Sequence, residues 1–282
     1  KILGLLHELE TQANFLNQRR LPKLSAKQLI ALALAAESSG IDSERHLFKQ
    51  LPTPLVGQID RSVFNRRRRQ LMPKLEHFRQ CMATRLAPSE NYHFVDSMPL
   101  EICKLGRARR SRVCQETDGA RPDYGYCAAH KAHYFGYKLH AVCAPNGTIL
   151  TFDISRASTH DIHYLNDLKT QLNHCVLVGD KGYLSRQWQQ DLFDTAAIRL
   201  ETPMRRNQVG FKPFSPLLRK ARKRIETLFS QLCDQFMIRR NYAKSFQGLA
   251  TRIASKLTAL TLIQWLNQRN GNKLNNLKIV IA

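Results

Sequence analysis

Acid is scarce in this sequence of 282 residues: Asp and Glu number 22 against 44 Lys and Arg, a formal charge of +22 with His neutral. Long apolar runs are also missing. The longest, Leu29 to Ala36 (LIALALAA), is far short of the roughly 18 residues that cross a bilayer. It follows Ser25-x-x-Gln28, the pattern of a helix capping box, and so predicts a buried helix rather than a signal-peptide core. A cytoplasmic protein is expected. The seven cysteines are scattered and form no CxxC, which argues against a disulfide framework. No GxGxxG or GxxxxGK[ST] follows a strand-like run and no HExxH occurs, so dinucleotide, P-loop and zinc-protease sites are excluded. Low-complexity tracts are absent, and 43% hydrophobic content suffices for a sizeable core in one large domain or two. The first residue is Lys1 rather than Met, so a few native residues are expected before it.

What is present is base, and it is spread through the chain. Residues 1–91 carry a net +7 and residues 92–282 a net +15. Such an excess in a folded chain points to a polyanionic partner. Residues 1–90 read as helical: an opening amphipathic segment, the helix after Ser25, a short one after Ser43 and a longer one from Asp60 to Leu71 ending at Pro73. From Asn91 the pattern turns to β-rich runs at Tyr92–Met98, Tyr134–Cys143, Ile149–Ile154, Cys175–Gly179 and Ala197–Glu201. Helical patterns lie between and after them: one capped by Ser158-x-x-Asp161, one at Ser185–Thr195, one from about Leu217, and a last at Gly248–Gln268. This order predicts a mixed α/β fold over residues 91–282, with a central sheet and C-terminal helices.

Three acids stand out. Asp96 lies within Phe94-Val95-Asp96-Ser97-Met98, where a lone carboxylate on a central strand needs a partner or a cation. Asp180 follows the apolar run Val176-Leu177-Val178-Gly179, at a strand C-terminus where functional groups of open sheets gather. Glu226 flanks the apolar stripe of Ile225, Phe229, Leu232 and Phe236 on a basic helix. Each has a plain structural alternative: a satisfied strand residue, a turn aspartate, and an i−4 pair with Arg222. Together, in a basic protein, they suit two Mg²⁺ or Mn²⁺ ions about 4 Å apart serving phosphoryl transfer on nucleic acid.

At these residues the sequence resembles a known family. The segments Phe64-Asn65-Arg66-Arg67-Arg68-Arg69, Val95-Asp96-Ser97-Met98-Pro99-Leu100-Glu101-Ile102-Cys103, Tyr124-Gly125-Tyr126-Cys127 and Gly136-Tyr137-Lys138-Leu139-His140 are similar to those of the bacterial insertion sequence 982 family of DDE transposases. So are Ala157-Ser158-Thr159-His160-Asp161, Gly179-Asp180-Lys181-Gly182-Tyr183 and Arg224-Ile225-Glu226-Thr227-Leu228-Phe229-Ser230-Gln231-Leu232. The resemblance implies an RNase H-like catalytic domain at 91–282 behind a helical, helix-turn-helix-like DNA-binding region at 1–90. It also implies two-metal cleavage and strand transfer at the ends of a mobile element, double-stranded DNA as partner, and a homodimer on that DNA. Asp96, Asp180 and Glu226 are then both catalytic acids and metal ligands, with 83 and 45 residues between successive members. Related transposases carry Tyr, Arg, Glu and Lys around the glutamate; Arg222 and Glu226 match the middle pair, but Arg219 and Cys233 replace the outer two.

DNA contacts are expected from Arg66, Arg67, Arg68 and Arg69, from Lys104, Arg107, Arg109 and Arg110 with Arg112 beside them, from Lys181, and from Arg219, Arg222 and Lys223. Cys103, Cys114, Cys127, His130 and His133 are zinc-ligand types without a standard spacing, so packed thiols and surface histidines are the preferred reading. His160-Asp161 reads as part of a helix cap, with an approach of Asp161 to the metals as the alternative; His140 as facing either core or site; and Tyr183 and Trp188 as core rather than as rings stacked on an unpaired base near the cut. Two other functions remain open on the sequence: a catalytically silent, transposase-derived DNA-binding protein, and another RNase H-like DNA nuclease.

Overall fold

The computed structural model describes residues 1–278 other than 18, 89, 130 and 241. In chain order its elements are α1 (Ile2–Leu9), α2 (Ala26–Ser38), α3 (Glu44–Lys49), α4 (Arg61–Gln70), α5 (Met72–Leu86), β1 (Tyr92–Cys103), β2 (Asp123–Cys127), β3 (Ala132–Cys143), β4 (Ile149–Arg156), α6 (Tyr164–Leu168), β5 (Val176–Val178), α7 (Arg186–Ala196), β6 (Arg199–Glu201), α8 (Pro216–Asp234) and α9 (Phe246–Arg269). No helix is long and apolar enough to cross a membrane among the described residues. The chain forms two compact units, residues 1–86 with 231–282, and residues 87–230. This division differs from a boundary at 90: α9 packs on α5, α2 and α4 and so joins the N-terminal helices rather than the sheet.

In the helical unit, the capping box at α2 forms as its sequence predicts, with the Ser25 hydroxyl accepting from Gln28 N and the Gln28 side chain accepting from Ser25 N. The expected helix from Asp60 ends at Gln70, but Pro73 opens a further helix rather than closing the run, because Pro is well tolerated in a first helical turn. Helix α9 is buried along nearly its whole length. It accommodates hydroxyls there by turning them back on its own carbonyls: Thr251 to Gln247 at 2.7 Å, Ser255 to Thr251 at 2.8 Å and Thr258 to Ala254 at 2.7 Å.

The second unit is built on a six-stranded mixed sheet in the order β2-β3-β1-β5-β6, with β4 also paired to β3. Strand β3 runs antiparallel to β1 along one edge, and shares its other edge between β2 and β4. Strands β5 and β6 are parallel to β1 and to each other. The arrangement is consistent with an RNase H-like catalytic domain. A bulge between Glu101 and Cys103 sits opposite Gly136 (φ +155°), where an added Cβ would lie 2.2 Å from the Leu100 carbonyl oxygen; only glycine fits that approach. One sheet face packs Val95, Val142, Leu177 and Leu200 against Tyr164, Leu165, Leu168, Tyr183 and Leu192.

Candidate active site

Parallel pairing of Phe94 with Val178 sets the register of β1 against β5. Two residues further along both chains come Asp96 and Asp180. Gly179 stays beside Val95, where a Cβ would meet Val95 Cγ1 at 3.2 Å, so the two aspartates leave adjacent strands from neighbouring positions. Asp180 opens a single turn of 3₁₀ helix and accepts a 2.8 Å hydrogen bond from Gly182 N. Glu226 comes from α8 and is half exposed.

One guanidinium joins two of these groups. Arg222 donates to Asp96 Oδ2 at 2.9 Å and to Glu226 Oε1 at 2.7 Å. Arg222 had been read as a phosphate contact; here its charge is engaged by two of the three acids. The structural alternative for Glu226, an i−4 pair with Arg222, is present as well. Asp96 is only 18% exposed. Burial raises its pKa to about 7, with Asp180 and Glu226 adding to the rise while Arg222 and the Ser97 N–H oppose it. The smaller contributions of Asp180 and Glu226 identify them as electrostatic neighbours of Asp96.

A fourth carboxylate lies close by. A Cβ on Gly182 would sit 3.0 Å from Asp180 Oδ1 and 3.7 Å from Asp161 Oδ2, so the two carboxylates approach Gly182 together. Asp161 accepts from Lys138 Nζ at 2.8 Å, and the same ammonium donates to the Thr159 carbonyl at 2.8 Å. The helix cap expected from Ser158 is made instead by His160, whose Nδ1 accepts from Ile162 N at 3.2 Å. Lys138 was visible only as part of a β-rich run; no local signal announces a charge pair across 23 residues of sequence.

The donors fit a hard divalent cation in kind, since all are carboxylates and hard oxygen ligands suit Mg²⁺ or Mn²⁺. Among the described residues no group of three or more His, Cys, Asp or Glu side chains is poised to hold a metal. Arg222 stands between Asp96 and Glu226, bonded to both.

The expected basic contacts divide into several kinds. Arg219 and Lys223 on α8 are exposed, as are Lys104, Arg107, Arg109, Arg110 and Arg112 around a 3₁₀ segment at Leu105–Arg110, and Lys181 beside Asp180. Lys220, Lys223 and Arg224 line a cavity of about 400 Å³ with Tyr92 and Phe94. In the helical unit Arg66 is exposed and Arg69 partly so, but Arg67 and Arg68 are buried. Arg67 donates to the Leu24 carbonyl at 2.8 Å and Arg68 to Glu37 at 2.6 Å. Those two bases are committed inside the fold, a correction to reading Arg66 to Arg69 as one surface patch.

Tyr183 is fully buried in the sheet unit's core and Trp188 packs at its margin. His140 is buried, stacks on Tyr164 with ring centroids 5.0 Å apart, and shares a 2.7 Å hydrogen bond with Ser155 Oγ. Burial depresses its pKa to about 4, so it is a neutral core histidine. Cys114 is buried and free; His130 lies outside the described residues.

Residues 93–262, more than half of the chain, match the family described as "Transposase DDE domain". No curated protein matches the sequence. A solved structure titled "Mos1 transposase paired-end complex with left transposon end" aligns with 95% of this chain and 86% of its own at 9% identity, with a TM-score of 0.24. The family match encloses β1 to most of α9, and on it the chain belongs to the DDE transposases, a family of DNA-cleaving and strand-transferring enzymes.

Proposed function

We propose that the chain is the transposase of a bacterial insertion sequence of the 982 family, acting in the cytoplasm on double-stranded DNA. It binds the terminal inverted repeats of its element, as a homodimer when assembled on DNA, and cuts and joins strands with Asp96, Asp180 and Glu226. The observation that carries this reading is the convergence at the sheet: Asp96 of β1 and Glu226 of α8 share Arg222, and Asp96, pushed up mainly by its burial, is raised further by the charges of Asp180 at the end of β5 and of Glu226.

The three carboxylates are the groups that would hold Mg²⁺ or Mn²⁺, two ions per site. Such ions supply Lewis acidity that activates water or a 3′-hydroxyl and stabilises the leaving oxygen. The chain's own residues do the rest. The strand pairing of β1 with β5 fixes the spacing of the aspartates, and the Gly182 N–H fixes the Asp180 carboxylate. Arg222 keeps Asp96 and Glu226 together before substrate arrives, and when released can meet a phosphate. Lys181, Arg219 and Lys223, with Lys104, Arg107, Arg109 and Arg110, supply exposed charge for the DNA backbone, joined by Arg66 and Arg69 of the helical region.

A second reading, a DNA-binding protein without catalysis, draws support from the same Arg222, which already neutralises two of the acids. Labelled element-end DNA incubated with Mg²⁺ separates the two. Wild-type protein is expected to give nicked and joined products, and Asp180→Ala to bind the DNA while losing at least about a thousandfold in rate. If both proteins bind and neither cuts, the catalytic reading is wrong.

A further inference from the structure

The helical unit contains a second concentration of charge, apart from the acids of the sheet. Glu37 is 3% exposed and takes Arg68 on one oxygen and Lys256 on the other, each at 2.6 Å. Arg252, also buried, completes the group and donates to the Asp42 carbonyl. Three buried cations therefore surround one buried carboxylate. The Nε atoms of Arg68 and Arg252 are buried and have no acceptor among the described residues. A buried excess of cationic charge with orphaned donors is costly unless an anion compensates it.

Arg68 and Arg252 also line a cavity of about 470 Å³ at the start of α9, shared with Arg45, Arg61, Arg69 and Lys244. None of these last four has an ion-pair partner among the described residues. The one carboxylate in the lining, Glu44, is engaged by Asn65 Nδ2 at 2.7 and 2.8 Å and stands 3.8 Å from Arg68, so the six cations of the lining still outnumber it. Helix α9 begins at Phe246, with Ser245 Oγ accepting from Gly248 N at 3.1 Å, so the positive end of a 24-residue dipole lies at the same region.

We propose that this cavity is a phosphate-binding site that takes a backbone phosphate of duplex DNA, with Arg45, Arg61, Arg69 and Lys244 at its mouth and Arg68 and Arg252 behind it. The proposal deepens the DNA-binding part of the function proposed above and rests on it. It moves the helical unit's grip from a row of four arginines on α4 to a pocket that collects charge from α3, α4 and the start of α9. Fixed guanidiniums read no base sequence; they hold the duplex in one register.

The test uses the full chain and the double variant Arg61→Ala/Lys244→Ala, both exposed positions. Duplex binding is followed by fluorescence anisotropy across a salt series, beside Lys104→Ala/Arg107→Ala in the sheet unit. Thermal melts are run in inorganic phosphate against chloride at matched ionic strength. The pocket variant is expected to bind duplex more weakly, with a log–log salt slope smaller by about 1.8, roughly 0.9 for each lost contact, and to lose a saturable rise in melting temperature that phosphate gives the wild type. Unchanged affinity and slope in the pocket variant, with loss in the Lys104/Arg107 variant, overturns the pocket and leaves DNA binding standing. Phosphate stabilisation that the variant loses without any change in duplex affinity assigns the pocket to a free anion and overturns its DNA role. If wild type binds no duplex, the broader reading fails, and the absence of a phosphate-dependent melt then overturns the pocket as well.

Discussion

Glu37 and Asp96 are both carboxylates withdrawn from water, at 3% and 18% side-chain exposure, and their surroundings push them in opposite directions. Burial alone would raise both. At Glu37 the charges of Arg68, Lys256 and Arg252 overcome that and hold the group below the usual carboxylate range. At Asp96 a single guanidinium is set against Asp180 and Glu226, and burial wins. The difference teaches how to tell a structural acid from one proposed to act on substrate. The first is surrounded by more countercharge than it needs; the second is left with less, so that a cation from outside has something to gain by binding.

The comparison is broken most sharply by removing the structural acid. Glu37→Gln leaves three cations without a buried counter-charge and is expected to destabilise the helical unit by about 3–5 kcal/mol in denaturant unfolding. Its pH dependence follows the depressed pKa: the stability Glu37 gives is present at neutral pH and is lost as pH falls through the folded value. Asp96→Asn should do the reverse. A carboxyl raised to about 7 binds its proton more tightly in the folded state, so wild-type stability falls as pH rises from the ordinary carboxylate range toward 7. The asparagine variant lacks that slope and should be more stable above pH 7, by up to about 4 kcal/mol, while losing strand cleavage. Parallel unfolding midpoints across pH 4–8 in the two proteins would refute the charge deficit.

Smaller effects refine the contrast. Arg222→Ala removes the one cation at Asp96 and should move its titration further up by roughly 1–3 units, followed by the carboxyl carbon signal in NMR; a titration that stays in place would show that Arg222 is not its counter-ion. The smallest change is expected at Arg269, which meets Glu8 at 2.6 Å, the same separation as Arg68 and Glu37, but with both side chains nearly half exposed. Arg269→Ala should cost under about 1 kcal/mol. Equal distances with unequal costs would show that burial, rather than contact length, sets the strength of these pairs.

Much of this was legible in the sequence where the signal is local. Apolar alternation marked five of the six strands, although β1 runs on through Pro99 to Cys103 and β5 is shorter than its run. Strand β2 was not recognised as one: Tyr124, Gly125 and Tyr126 are too few to show a period, and the segment is held by pairing to β3 and by Arg156 on Asp123 at 2.8 Å. The three acids were chosen from their places at a strand, a strand end and a helix flank, and the structure brings them into one field. The partner of two of them is a long-range fact, since Arg222 lies 126 residues from Asp96. Runs of like charge misled for the same reason. Four consecutive arginines look like a surface stripe, yet helical periodicity turns Arg67 and Arg68 inward, where a carbonyl and Glu37 await them. Nor does the sequence say that α9 belongs with α2 and α5, because an all-round buried helix carries no face that names its neighbours.

Cys103 pairs directly with Phe135 where β1 and β3 meet at the bulge. Residues 104–134 therefore leave the ladder and return to it at one point, as an insert in a hairpin rather than a span between strands. That places the exposed Lys104, Arg107, Arg109 and Arg110 just past the point where β1 leaves the ladder, ahead of β2. Exchanging those bases while leaving β2 in place would keep the register that sets Asp96 beside Asp180, and so allow the proposed grip on DNA to be changed without rebuilding the acids proposed to act on it.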